Sequence, residues 1–155
     1  MVRPQRRGRR IAMDADELDA FLGEERTCRL GTTSVDGRPH VTPLWFVWDG
    51  SALWINSIVR SQRWTDVQRD GRVSVVVDGG RDYAELRGAE LVGTVEPVGE
   101  APRTGRSDPV LEPVERRYAL KYHGSAEMPH DGRHAWLRLV PEKVVSWDFR
   151  KMGEG

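Results

Sequence analysis

The sequence of 155 residues holds a single cysteine, Cys28, so an internal disulfide is excluded. It carries no surplus of either charge: 24 Lys and Arg stand against 24 Asp and Glu, and no global field draws the chain towards nucleic acid or an anionic membrane. No apolar run approaches the ~20 residues that span a bilayer. The basic start MVRPQRRGRR leads into no apolar segment, so no signal peptide is visible. These absences fit a cytoplasmic protein, and they point to a small or locally matched ligand, with no nucleic acid and no membrane as partner.

What is present suits one domain, given that domains commonly run to about 100–150 residues. Residues 1–12 read either as a nucleic-acid arm or as a disordered basic tail with Met13 as the true start, and composition favours the tail. The domain is then 13–155. The stretch GEAPRTGRSDPVLEP, Gly99 to Pro113, is the one Pro/Gly-rich segment that reads as a mobile surface loop and as a candidate lid, with Arg103 as a surface arginine on it.

Periodicity gives the elements. In MDADELDAFLGEE, Leu18, Phe21 and Leu22 share one helical face, and Asp14 is a plausible N-cap. The pairs Asp36-Gly37 and Asp49-Gly50 lie between β-prone runs, the strongest short-range hairpin signal, and predict three antiparallel strands. Ser61 to Arg69 turns helical, with Trp64, Val67 and Gln68 at i, i+3 and i+4. RVSVVVD and YAELRGAELVGTVEPV resume the strands, the second with an expected break at Gly88. LEPVERRYALKYH predicts a helix, and HAWLRLVPEKVVSWDF predicts two strands around a turn at Pro141-Glu142. The fold class is therefore mainly β, with six or seven antiparallel strands and two or three short helices. Closure into a split barrel removes the edges that an open sheet of this size would expose.

The words GRPHVTPLWFVWDG, LWINS, RSQRWTDVQRDGRVSV and KVVSWD resemble the flavin and deazaflavin oxidoreductases of the split-β-barrel superfamily. That superfamily includes the pyridoxamine 5′-phosphate oxidase-like proteins and their actinobacterial relatives that use coenzyme F-420. The resemblance runs from about Leu18 to Met152 and is most specific over Trp54 to Val75. It implies a homodimer with the cofactor in a groove at the subunit interface, its phosphate on the turn Arg60, Ser61, Gln62 and Arg63. A helix start with unpaired N–H groups and guanidinium donors gives that assignment a physical basis.

The resemblance further implies that Val41, Thr42, Pro43, Leu44 and Trp45 line the ring and that Asn56 and Ser57 touch the ring or ribityl chain. Trp147 and Lys151, in the KVVSWDFRK ending, and Tyr83 are weaker candidates. The C-terminal Trp/Arg signature of true pyridoxamine phosphate oxidases has no match here, and many relatives carry lysine where this chain has Arg63. Each residue also has an ordinary reading: the six tryptophans can fill the core or an interface, and Arg60 and Arg63 can face solvent. No catalytic side chain stands out. His130 and His134 lack a third metal ligand, and Cys28 reads as a small buried apolar residue.

The implied function is an oxidoreductase in which reduced coenzyme F-420 gives a hydride to an unsaturated or conjugated small-molecule acceptor. The alternatives are FMN in the same groove, as a flavin reductase or oxidase, and a non-catalytic flavin- or haem-binding protein, with His123 as the one nameable axial ligand.

Overall fold

A computed structural model describes residues 2–153. The elements run α1 (Ala15–Glu24), β1 (Thr27–Thr33), β2 (Pro39–Trp48), β3 (Leu53–Ile58), α2 (Gln62–Arg69), β4 (Arg72–Gly79), β5 (Arg87–Val98), α3 (Leu111–Tyr122) and β6 (His134–Asp148). The six strands close into an antiparallel barrel in the order β1-β2-β3-β6-β5-β4. The expected split-barrel class is thus observed, with six strands.

Local chemistry sets the element ends. Asp14 caps α1 by accepting the Glu17 N–H at 2.8 Å, and Glu17 reaches back to the Asp14 N–H at 3.2 Å, a complete capping box. Both Asp-Gly hairpins form, with positive φ at Gly37 and Gly50. In the second turn, Asp49 accepts N–H groups of Ser51 and Ala52 and the indole N–H of Trp54 at 2.7–2.8 Å. Burial works to raise the Asp49 carboxyl, but these donors outweigh it and hold it below the ordinary value.

Three details differ from the sequence expectation. Residues 134–148 form one continuous strand, not two strands around a turn. Val92 pairs with Lys143 and Gly93 with Pro141, so Glu142 is the extra residue of a bulge, and the bend comes without breaking the ladder. The break expected at Gly88 is therefore at Val92/Gly93. Gly88 stays in register opposite Trp147, and the Trp147 indole lies over it, where a Cβ would come within 2.3 Å of the ring. Residues 83–85, expected in a strand, form a 3₁₀ turn instead.

The core has two parts. Leu30, Phe46, Ile55, Val75, Leu91 and Leu137 fill the barrel interior. On the outer wall, Val47, Trp54 and Trp136 are covered by Leu111, Val114 and Tyr118 of α3. Four of the six tryptophans, at 48, 54, 64 and 136, are buried packing residues. Arg103, read as a surface residue, is 4% exposed. Its guanidinium grips Glu115 of α3 at 2.9 and 3.0 Å, which pins the 99–113 loop to the barrel. The basic segment runs beside β6: the Arg3 N–H donates to Glu142 O at 2.8 Å, and Gln5 exchanges two bonds with the Ser146 backbone. No helix among the described residues is long and apolar enough to cross a membrane.

Candidate functional site

Beside α3, the outer faces of β2 and β3 are left open. Pro43, Trp45 and Asn56 project there because they alternate with the inward Leu44, Phe46 and Ile55. Together with Thr27, Tyr118, His134 and Arg63 they line a hollow of about 380 Å³. A second hollow of about 290 Å³ shares Trp45, Asn56, Tyr118 and His134 and extends towards His123 and Met128. Trp45 is 41% exposed, and one of its faces is covered by Tyr122, stacked at 4.4 Å and 5°. The Tyr122 hydroxyl accepts the Phe46 N–H at 3.1 Å and lies 2.7 Å from Arg26 O, which fixes the end of α3 against β2. Burial raises the Tyr118 hydroxyl, with Asn56 beside it opposing the rise.

The turn into α2 divides its four candidate residues. Ser61 is the N-cap: its Oγ accepts the Trp64 N–H at 3.2 Å and donates to Ile58 O at 2.7 Å. Gln62 is turned back onto Asp66 at 2.8 Å. Arg60 is exposed and lines a separate hollow with Pro102 and Arg133. Only Arg63 reaches the hollow of Trp45 and Asn56. Its Nε donates to the buried Ser57 Oγ at 3.0 Å, and among the described residues no carboxylate pairs with it. Burial with no compensating anion pulls the guanidinium below its ordinary value. The N–H groups of Gln62 and Arg63, in the first turn of α2, find no acceptor among the described residues.

The residues present fit an anionic ring-bearing cofactor. A half-buried cation lacks an anionic partner, two first-turn donors find no acceptor among the described residues, and an aromatic and proline wall adjoins them. On β2, His40 Nδ1 and Thr42 Oγ1 are buried without hydrogen-bond partners.

Of the other expected site residues, only Leu44 borders this hollow. Val41 is on the outer face of β2 at 65% exposure, and Leu44 borders the hollow from the inner face. Trp147 lies in the last rungs of the ladder at the end of β6 opposite His134, and Lys151 lies past that end; Trp147 packs on Gly88, and Lys151 bonds Glu17 Oε1 and Ala12 O at 2.8 Å. Tyr83 is exposed against Phe149, ring centroids 5.1 Å apart. His123 caps the end of α3 and does line the second hollow.

Sequence reasoning missed Tyr118, His134 and the Glu115 cluster. Tyr118 recurs with Val114 and Tyr122 at four-residue spacing, a pattern that predicts a helix and marks no site. His130 and His134 were weighed only as metal ligands; each instead faces its own carboxylate, Glu115 at 3.0 Å and Asp131 at 2.6 Å. Among the described residues no group of three metal-ligating side chains forms.

Among solved structures, a conserved hypothetical protein from Mycobacterium tuberculosis is similar with TM-score 0.80 and 29% identity, over 97% of this chain and 93% of that one. An F420 reductase is similar with TM-score 0.63 and 20% identity, over 82% and 94%. The haem storage protein HutZ of Vibrio cholerae is similar with TM-score 0.66 and 16% identity, over 85% and 93%. At their identities the last two share the fold alone. No curated protein matches the chain. The family model for pyridoxamine 5′-phosphate oxidase matches residues 15–148, and with the closed six-stranded barrel it shows that the chain belongs to that family.

Proposed function

We propose that this chain is a homodimeric oxidoreductase that holds coenzyme F-420 in the hollow of Trp45, Asn56 and Arg63 and reduces a conjugated small molecule. The observation that carries the reading is Arg63: a half-buried guanidinium with only a serine hydroxyl for a partner, beside free N–H groups at a helix start. A phosphate oxygen satisfies both the cation and the helix start, through charge-assisted hydrogen bonds in a site partly shielded from water. Pro43 has no N–H to give a neighbouring strand, so ligand atoms can approach the β2 backbone there. Trp45 and Tyr118 supply the apolar wall, and Asn56 offers amide groups to a polar ring edge.

When bound in reduced form, a deazaflavin supplies a hydride, and carbon at its central reactive position favours two-electron transfer. The chain itself binds, orients and excludes water. A second subunit closes the hollow: as a single copy it is shallow, and Trp45 on its wall and Val41, on the same outer face of β2, are exposed apolar side chains.

The test is mass spectrometry of the cofactor that copurifies from an actinobacterial host making both F-420 and FMN. F-420 bound in a ratio near one per chain is expected. FMN or haem in its place would overturn the cofactor assignment.

A further inference from the structure

We infer that Ser57 is the positioning residue of the anion site: its hydroxyl does not touch the ligand, but holds Arg63 by Nε and leaves both Nη groups, with their charge uncancelled, to the anion. The inference rests on the proposed function and deepens it, because the anion concerned is the cofactor phosphate.

The place of Ser57 in its strand is the first argument. Along β3 the inward positions are Leu53, Ile55 and Ser57, while Asn56 points into the hollow. Ser57 is 0% exposed, so a molecule seated beside Trp45 meets Asn56 and not the serine. An inward position in line with Leu53 and Ile55 suits an apolar residue, and a buried hydroxyl is costly there unless it is hydrogen-bonded. The Ser57 oxygen accepts Arg63 Nε–H at 3.0 Å and lies 3.4 Å from Ile58 O. The second contact is long and local, so Arg63 is the partner that accounts for a hydroxyl at this position.

Chain geometry makes the contact. β2 pairs with β3 only through residues 53–55, which leaves the edge beyond Ile55 open on that side, and the turn of Val59, Arg60 and Ser61 returns Arg63 to it. On its other side the Ser57 backbone is paired with Ala135 of β6, so the hydroxyl is anchored to the sheet. Arg63 is a long side chain with many rotamers. Fixing its Nε sets the guanidinium plane before a ligand arrives, which lowers the ordering cost of binding.

The second argument is charge. Of the five N–H donors of a guanidinium, Ser57 takes one, and the four on Nη1 and Nη2 of Arg63 find no acceptor among the described residues. Two parallel Nη–H donors match two oxygens of a phosphate. A carboxylate at position 57 would hold the side chain equally well but cancel its charge. That is the state of Arg103, tied at Nε and Nη2 by Glu115 and at Nη1 by Glu100. Serine aims the cation and keeps its charge available.

The test separates the phosphate-bearing tail from the ring. Full-length wild type, Ser57→Ala, Arg63→Ala and the double variant are titrated, by fluorescence, with F-420 and with the deazaflavin that ends at its ribityl chain. Ser57→Ala should lower the preference for F-420 about fivefold and leave affinity for the phosphate-free deazaflavin unchanged. Arg63→Ala should lower the preference further, and the double variant should match Arg63→Ala, since the serine acts only through the arginine. Ser57→Asp should remove the preference although the guanidinium remains. In ¹H–¹⁵N NMR the Arg63 Nε–H signal should shift and exchange faster with water in Ser57→Ala. Wild type with no preference for F-420, or a preference that Arg63→Ala leaves intact, overturns the proposed clamp and this inference with it. A preference lost in Arg63→Ala but kept in Ser57→Ala overturns the inference alone. So does a Ser57→Ala that weakens both ligands alike, a double variant weaker than Arg63→Ala, or an Arg63 Nε–H signal that does not move.

Discussion

Arg63 Nε donates to Ser57 Oγ across 3.0 Å, so a half-buried charge has a neutral hydroxyl as its partner. Of the other arginines out of full solvent exposure, Arg103 is answered by Glu115 and Glu100 and Arg138 by Glu96, while Arg87 lies over the Phe21 ring. A half-buried cation of this kind is costly unless an anion pairs with it, and the proposed function puts that anion at the rim of the hollow of Trp45, where Arg63 lies.

Arg103 is expected to behave as a structural arginine. Arg103→Met leaves Glu115 buried with only His130 and Trp136 as donors, and breaking a buried pair costs about 3 kcal/mol or more. The double variant Arg103→Met/Glu115→Gln should recover part of that loss. Urea unfolding of the single and double variants checks this; additive losses would contradict it.

Acid stability follows from depressed carboxyls. Thr104 and its neighbours hold Glu100 at about 2 against an ordinary 4.5, and Arg72 holds Asp70 at about 2 against 3.8. Glu115 is also low: burial works to raise it, and Arg103, His130 and Trp136 outweigh that. Groups with lowered folded values contribute stability that is complete above their ordinary values and is lost as pH falls towards the folded ones. The urea midpoint should hold steady down to about pH 5 and then fall steeply towards about pH 2. A midpoint that stays level throughout that fall in pH would refute the assignment.

Gly88→Ala should destabilise the barrel by about 1–3 kcal/mol, because its methyl group would meet the Trp147 indole. Trp147→Phe should relieve part of the loss in the double variant, as read by thermal melting. If Trp147→Phe instead left melting unchanged and weakened F-420 binding, Trp147 would belong to the site and not to this packing contact.

The barrel was legible because its signals are local. Asp36-Gly37 and Asp49-Gly50 fix two hairpins through backbone conformation alone, and Asp14 with Glu17 fixes a helix start. Pro141-Glu142 misled because a proline pair reads as a turn, whereas here it is a bulge whose meaning depends on Gly93 across the ladder. The Arg63 end of the site was visible as a cationic turn. Tyr118, Glu115 and His134 were not, because they meet only when α3 folds over β3 and β6, and nothing in the spacing of residues 103, 115, 130 and 134 marks that meeting. Ser61 and Gln62 carried the right residue types for a phosphate turn, yet the cap and Asp66 use their side chains.

Val41→Glu should separate the subunits and weaken cofactor binding together, since Val41, at 65% exposure, shares the outer face of β2 with Pro43 and Trp45. Sedimentation at micromolar protein reads the first effect and F-420 fluorescence the second. Wild type sedimenting as a monomer with cofactor still tightly bound would contradict the shared groove.

The most direct measurement is titration of purified wild type and Arg63→Ala with F-420 and with FMN over a range of salt concentrations, with Arg116→Ala, an exposed position on α3, as control. Losing one charge-assisted contact costs on the order of 1.5–3 kcal/mol, so Arg63→Ala should raise the dissociation constant for F-420 by roughly tenfold to hundredfold. Arg116→Ala should leave it unchanged. Wild-type affinity should fall as salt rises, and the Arg63→Ala response should be flatter. Equal affinities for wild type and Arg63→Ala across the salt range, with either cofactor, would contradict the account.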